Sequence, residues 1–547
     1  MLRPTALLKR SLIFVHRWLG VALSLVFLLW FASGIVMMYW TYPDVSAQDR
    51  LQRAPTLDPA HIKLSAEEAS ATLGLDQPPA QVRLTSFDGR PVYRIGIGGR
   101  GGGRGGGGGG GGFAMVYADD GTEQLGVDDA MVDRAASAWA ARPVAEATKT
   151  IADEVDQWTV GDLRSRLPLR KYAWPDGQQV YVDGDTAEVV QYTTSSSRFW
   201  AYLGAIPHWL YFTPLRKHGR QWFSFVVWSS MIGTVSALIG VVVALWMYSP
   251  GKRYRHAGAP TSIPYKGWKR WHTLFGLFFG VVTTTWAFSG LLSMGPFPIV
   301  DRLTELTVPE EPPRGRGAGD NAAAGRGRGG RGGNLAGALR GRGRPPLSSY
   351  SGKHPGTAIA SVPGFAVKEL EYTAFAGEPV YIASAGDGAT RIIPVRGEPR
   401  TTFDPDAVMQ IVREAAGGTL SELRLMHEYD AYYLDRRGER PLPVVYARMN
   451  DAVGTRYYID PKTARVAGTY SARNWVNRWL YHGLHSLDFP WLYKHRPLWD
   501  IVVIALMLGG TALCLTSIVL TWRVLMRKGA AILRARDITP NEDLAPS

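Results

Sequence analysis

The sequence predicts an α-helical membrane protein of four spans, built from a duplicated two-helix unit, with two α+β domains outside the bilayer. Three observations predict it. First, four apolar runs, residues 12–40, 222–247, 272–294 and 499–522, approach spanning length; about 20 mostly apolar residues cross a hydrocarbon core of about 30 Å. Second, the chain repeats itself. His16, Gly20, Val26, Trp30, Ser33 and Gly34 return at an offset of 256 as His272, Gly276, Val282, Trp286, Ser289 and Gly290. His208, Leu210, Phe212, Leu215, Lys217 and His218 return at an offset of 277 as His485, Leu487, Phe489, Leu492, Lys494 and His495. Third, the two long polar stretches between the runs each alternate helix-like and strand-like patterns.

In chain order, residues 1–11 form a short basic N-terminus and 12–42 the first span. A secretory signal would also be N-terminal and apolar, but this run exceeds a signal's apolar core and no small-x-small site follows Tyr39-Trp40-Thr41-Tyr42. An uncleaved first helix is expected. Residues 43–200 form the first outer domain. Ser65, followed by Glu67 and Glu68 and stopped by Gly74, predicts a capped helix over 61–74. Strand-like alternation covers 81–97 and 113–117, a turn lies at Asp119-Asp120-Gly121, and a helix is expected near 128–140. A second α+β piece spans 144–197, with a hairpin over 172–191 turning at Asp176-Gly177. A His-rich aromatic segment and the second span fill 201–248, a basic connector 249–271, and the third span 272–295. The second outer domain, 296–480, repeats the plan: strands over 365–394, a helix from Phe403-Asp404-Pro405 to about Ala416, and strands over 444–466. Asp183, Thr186, Ala187 and Val189 match Asp460, Thr463, Ala464 and Val466 at the same offset of 277. Residues 481–522 carry the second His segment and fourth span, and 523–547 a tail.

Charge orients the spans. The N-terminus carries Arg3, Lys9 and Arg10; the connector carries Lys252, Arg253, Arg255, Lys266, Lys269 and Arg270; the tail carries Arg523, Arg527, Lys528, Arg534 and Arg536. With four spans these three segments share one face, which the positive-inside rule makes cytoplasmic. The net charge of +14 is concentrated: residues 314–344 hold eight Arg against Asp320 alone. That Arg/Gly-rich stretch is read as a flexible linker. Residues 98–112 are almost pure glycine. The GxGxxG match at Gly96, Gly98 and Gly101 carries no information inside such a tract, because no phosphate-cradling helix start follows. The one cysteine, Cys514, excludes disulfides within the chain, thiolate iron–sulfur clusters and CxxCH haem attachment.

The histidines carry the chemistry. His16 and His272 open equivalent spans. Gly20 and Gly276, four residues on, lie one turn deeper on the same face and leave room for a flat macrocycle. His208 with His485, and His218 with His495, precede the second and fourth spans on the outer side. Paired imidazoles from two copies of a membrane unit are what a bis-imidazole haem requires. For each His the competing reading is an interfacial anchor, strongest for Lys217-His218 and Lys494-His495. Asp488, three residues after His485, is a candidate partner for that ring's second nitrogen, and His482, which has no counterpart, a candidate auxiliary group. His61, His256, His354 and His427 sit in polar contexts and are read as surface residues.

His16-Arg17-Trp18-Leu19-Gly20, the duplicate Trp271-His272, and Leu484-His485 before the last span resemble the PepSY-associated transmembrane family. Helix-then-strand units such as residues 64–97 are similar to PepSY modules. The resemblance covers nearly the whole chain apart from the glycine inserts. It implies a four-span bacterial inner-membrane protein with periplasmic PepSY-like domains, and the family's His-before-span pattern maps onto His16, His208, His272 and His485. It does not say which histidines share an iron. The family includes di-haem reductases of ferric siderophores. Two departures stand out: Pro207-His208-Trp209 replaces the more common Leu-His followed by Gly, and both outer domains carry glycine inserts.

The expected function is therefore that of an inner-membrane oxidoreductase with haem b, two groups in all, held by His16 with His272 and by His208 with His485, with His218 or His495 as further candidate ligands. Electrons would reach a ferric siderophore or other ferric chelate docked between the outer domains. The chain carries no flavin or nicotinamide fingerprint, so a separate donor, a quinol or a cytoplasmic flavin reductase, is expected, and no nucleic acid partner. Two readings of other classes compete: a non-enzymatic scaffold that binds a peptide or peptidase, and an iron–siderophore permease component. The spans offer few ionisable residues for a translocation path.

Overall fold

The structure is a computed structural model describing residues 4–75, 79–96, 113–295, 332–341, 343–435 and 438–536. The glycine insert 98–112 and most of the Arg/Gly-rich stretch lie outside the described residues. The chain divides into two compact units. One comprises residues 1–42, 196–298 and 475–547, and the other residues 43–195 and 299–474.

The first unit is helical. Its four long helices, Pro4–Met37, Gly219–Met247, Gly267–Ser293 and Leu498–Arg536, each hold a window long and apolar enough to cross a membrane. They are referred to below as the first to fourth spans. The first span begins at Pro4 rather than near residue 12, so His16 sits well inside it. Neighbouring helices pack in the cyclic order first, second, third, fourth, which sets the first and third spans on one diagonal. Phe31, Trp286 and Cys514 are buried at the centre, with Phe27, Val282 and Met507 against them. Large apolar side chains such as Leu25, Trp228, Phe278 and Leu508 are exposed on the outside, as a surface solvated by lipid requires. Gly509 and Gly510 of the fourth span lie against two rings: a Cβ on either would run into Phe279 or Phe31 respectively.

The second unit is built on sheets. Its strands in the first half are β1 (Gln81–Phe87), β2 (Arg90–Gly96), β3 (Phe113–Tyr117), β4 (Thr148–Ala152), β5 (Leu169–Ala173), β6 (Gln179–Asp183) and β7 (Val189–Thr193). A two-stranded hairpin, β8 (Tyr254–His256) with β9 (Ala259–Thr261), belongs to the basic connector of the helical unit. The second half supplies β10 (Glu369–Phe375), β11 (Glu378–Ser384), β12 (Thr390–Pro394), β13 (Leu420–Met426), β14 (Val444–Met449), β15 (Arg456–Asp460) and β16 (Arg465–Tyr470). The halves are joined: β1 pairs antiparallel with β10, giving one six-stranded sheet in the order β12-β11-β10-β1-β2-β3. One face of it is covered by a core drawn from both halves, including Leu57, Leu84, Tyr93, Ile95, Tyr350, Ile359, Leu370 and Tyr381. Each half adds a four-stranded antiparallel sheet of its own, β4-β5-β6-β7 or β13-β14-β15-β16.

Local expectations are met where a cap or turn was written into the sequence. Ser65 and Glu68 form a reciprocal capping box on helix Ala66–Ala71. Asp128 caps Asp129–Ala140, and Asp404 caps Pro405–Ala416. Two readings change. The alternation over 81–97 is a hairpin, because Asp88 and Gly89 both take positive φ (51° and 78°) and turn the chain between β1 and β2. The Arg/Gly-rich stretch is not linker to its end: Gly332–Arg340 is helical, and Leu335 and Leu339, one turn apart, are buried against Val408, Val412 and Ile459.

Candidate functional site

All the paired histidines lie in the helical unit. His16 on the first span and His272 on the third face each other across the diagonal of the bundle, ring centres 6.2 Å apart. His208 and His485 face each other likewise at 6.0 Å. A metal–imidazole bond is about 2.0 Å, and ring nitrogen to ring centre adds roughly 1 Å, so two imidazoles on opposite sides of one ion sit about 6 Å apart, centre to centre. Both pairs have that spacing.

Each ring is held through Nδ1, and a carbonyl partner there fixes which nitrogen carries the proton. Nδ1 of His16 lies 3.0 Å from the Ser236 carbonyl, which only accepts, so Nδ1 donates. Nδ1 of His208 lies 3.1 Å from the Trp30 carbonyl and 3.2 Å from Ser33 Oγ, whose own proton goes to the Leu29 carbonyl. Nδ1 of His272 lies 3.1 Å from Thr516 Oγ1, which also reaches the Leu513 carbonyl. Nδ1 of His485 lies 3.0 Å from Ser289 Oγ, which also reaches the Trp286 carbonyl. In His16 and His208 the carbonyl makes Nδ1 the donor and leaves Nε2 with the lone pair, while in His272 and His485 Nδ1 is held by a hydroxyl that can accept or donate. A neutral imidazole so oriented is the usual nitrogen ligand of haem iron.

The depth of the His208 and His485 pair follows from how the chain re-enters the bundle. His208 lies on the short helix Ala205–Trp209, which ends in left-handed Leu210; His485 lies on Leu484–Ser486, which ends in left-handed Leu487. A π-helical stretch, Val476–Gly483, precedes the second of these. Gly204 lets the first segment press against the first span, for a Cβ there would stand 2.9 Å from Val36 Cγ1. Two tryptophans bolt the turns down: Trp222 Nε1 donates to the Trp209 carbonyl (2.9 Å), and Trp499 Nε1 to the carbonyls of Ser486 (3.2 Å) and Leu487 (3.1 Å). The pair thus meets the first span at Trp30 and Ser33 and the third at Ser289. Helical rise sets the two histidine levels about 20–25 Å apart along the bundle. We expect Trp499→Phe, which keeps the ring and removes both hydrogen bonds, to destabilise the full chain in detergent by about 1–2 kcal/mol in chemical unfolding.

Glycines one turn deeper leave open space beside the rings. A Cβ at Gly276 would meet nothing within 4 Å, and one at Gly20 only Ser517 Oγ at 3.8 Å. Gly34 and Gly290 sit next to Cε1 of His208 and His485 at 3.5 and 3.6 Å. Among the described residues no three His, Cys, Asp or Glu side chains gather around a common point; the imidazoles meet in twos, as axial ligands of a macrocycle do.

The other candidates are placed differently. His218 and His495 are exposed. His218 caps the second span, and His495 Nδ1 bonds locally to the Trp491 carbonyl at 2.6 Å. The structure does not bring these two rings together. Asp488 is buried, and its backbone carbonyl accepts from Arg478 at 2.6 Å; Ser289 Oγ stands at Nδ1 of His485. His482 stacks near Tyr481, ring centres 4.7 Å apart. His61 pairs with Asp58, and His354 caps helix Pro355–Ala360. Sequence reasoning did not weigh Ser33 and Ser289 as partners of the histidines, although both stood in the repeat.

A family profile described as PepSY-associated TM region matches residues 13–357, well over half of the sequence. The chain belongs to the PepSY-associated transmembrane family. The match to this PepSY-associated family takes in the first three spans, with His16, His208 and His272; His485 lies beyond it and is joined to the set by its contact with His208. No curated protein matches the chain.

Proposed function

We propose that the protein is a di-haem b-type membrane oxidoreductase of the bacterial inner membrane, passing electrons outward to a ferric chelate. One observation carries the reading: two pairs of imidazoles on opposing elements, each at the separation of two axial ligands, each ring held through Nδ1 by a carbonyl or a hydroxyl. Haem, when bound, supplies reversible one-electron transfer. His16 with His272 would hold the inner group, and His208 with His485 the outer one. Ser236, Thr516, Trp30, Ser33 and Ser289 hold each ring in its orientation. The central plug of Phe31, Trp286 and Met507 excludes water from the bundle interior.

The two ligand levels divide a hydrocarbon thickness of about 30 Å into steps that a single group could not cover. The basic connector and tail argue for a cytoplasmic face on the His16 side, and thus for a periplasmic sheet unit. Each ferric ion takes one electron, and hard oxygen donors hold the resulting Fe(II) less tightly. The duplicated two-helix unit is the simplest origin for two such levels in one chain.

Purified full-length protein in detergent is expected to give a dithionite-reduced b-type spectrum, and ferric citrate is expected to reoxidise it. A colourless preparation that also fails to take up added haemin would overturn the reading.

A further inference from the structure

Where the halves of the sheet unit meet, one face of the six-stranded sheet carries a row of charge. Side chains alternate across a strand. Val82 and Leu84 on β1, Tyr93 and Ile95 on β2, and Leu370 on β10 enter the shared core, so Arg83 and Arg94 stand on the opposite face. Arg83 is in register with Arg94 on one side and with Glu371 on the other. Like charges directly opposite on neighbouring strands are destabilising, so the fold gains nothing from this arrangement. A third guanidinium, Arg50 on helix Ala47–Arg53, lies close enough to act on the charge of Arg94.

The carboxylates nearby are already engaged, Arg50 with them, and the Gln81 amide oxygen, correctly oriented, accepts from Arg83 Nε and Nη2 at 2.7 Å. Among the described residues Arg94 is thus the guanidinium of the three without a direct partner. Glu188 binds Arg50 at 2.9 Å and Arg166 at 3.0 Å, Glu371 binds Arg465, and Glu369 stands 3.8 Å from Arg83. Arg94 is half-buried and makes no hydrogen bond and no ion pair within 4 Å among the described residues. Arg50 Nε and Thr85 Oγ1 are shut off from solvent and have no hydrogen-bond partner; Thr85 is one pleat from Arg83 on the same face. Burial, with Arg50 and Arg83 adding to it, lowers the pKa of Arg94 against the pull of Glu188 and Glu369. A half-buried guanidinium with no direct ion pair gains from an anion.

We propose that this row is a binding site for a small hydroxycarboxylate anion. Arg83, Arg94 and Arg50 would take its carboxylates, for which planar guanidinium is the matching donor. Glu369 and Glu371, as acceptors, would take its hydroxyl, and its separate carboxylates would match guanidiniums spread over two strands and a helix more closely than a compact phosphate does. The site draws β1 and β2 from one half and β10 from the other, and so exists only in the joined sheet. Its existence does not rest on the haem reading.

The test is calorimetric titration of the full chain in detergent with sodium citrate, with inorganic phosphate as the second arm. Saturable citrate binding is expected, weakened at least about tenfold by Arg94→Gln and by Arg83→Gln. Arg142→Gln, which breaks a remote ion pair with Asp176, is expected to leave it unchanged. In anion-free buffer Arg94→Gln is expected to keep or raise the thermal midpoint, because it removes like-charge repulsion. Absence of saturable citrate binding, phosphate binding as tight as citrate, citrate binding retained by both variants, or a lowered midpoint for Arg94→Gln would each overturn the proposal.

Discussion

His272→Ala, made in the full chain, is expected to strip one of the two haems while leaving the other in place. His272 and His16 meet only each other across the bundle diagonal, and the second pair lies about 20–25 Å away along the helices. Removing one imidazole leaves the inner site with a single ligand. Loss of supporting hydrogen bonds around a metal ligand typically costs 10–100-fold in affinity, so loss of the ligand itself is expected to exceed about 100-fold. The measurement is haem content per protein, by pyridine haemochrome, alongside the reduced spectrum. The signal that survives should be the one lost instead in His485→Ala. Loss of both signals in His272→Ala would mean that the two pairs do not form separate sites.

Gly240→Ala is expected to cost the inner site nearly as much without touching a ligand. His16 turns its Cε1 edge to the second span: Nδ1 binds the Ser236 carbonyl, and Cε1 points at Gly240 one turn further on. A Cβ at residue 240 would stand 2.6 Å from Cε1 of His16 and 3.2 Å from both ring nitrogens. The imidazole is held at Nδ1 and cannot slide away without losing that bond. Overpacking of this kind costs about 1–3 kcal/mol, here concentrated on the orientation of one ligand. Gly34→Ala is the control. Its Cβ would stand 2.9 Å from the flexible end of Met507 and 3.5 Å from His208 Cε1, and methionine yields readily. The inner haem should be lost or turned high-spin in Gly240→Ala and both retained in Gly34→Ala. Equal behaviour of the two variants would remove the case for Gly240 as the platform of His16.

Much of the site was legible because a duplication writes its geometry twice. The offsets of 256 and 277 picked out His16 with His272 and His208 with His485, and the structure brings those pairs face to face. Pairing could be read; depth could not. His208 reaches the level of Trp30 only because the chain turns back through left-handed Leu210, and a lone leucine gives no sign of positive φ. The same turn recurs at Leu487, and the Trp222 and Trp499 bolts recur with it, so comparing the copies for their turns would have revealed it. His218 and His495 obeyed the same offset yet stand exposed, for repetition preserves surface positions as faithfully as buried ones.

In the sheet unit, caps and turns were legible because they depend on neighbours in sequence: Ser65, Asp128 and Asp404 act within a few residues. The Asp88-Gly89 hairpin carried an equally local signal and was passed over because the alternation on either side masked it. Leu335 and Leu339 held helical spacing inside a glycine-rich stretch whose composition dominated the reading. The joining of β1 to β10 was out of reach, since no local pattern selects between an edge left open and a partner hundreds of residues away.

That pairing has a cost during biosynthesis. The outer edge of β1 exposes unmet amide and carbonyl groups from the moment it emerges until β10 arrives, some 280 residues later. At translation rates of about 5–20 residues per second the interval is roughly 15–60 s, long on the time scale of hairpin formation at about 1–10 μs. A nascent chain stalled or truncated between the two strands would carry a half-built sheet with a naked edge, the kind of surface that recruits other strands. Such fragments should therefore aggregate or be degraded rather than persist as a free first domain.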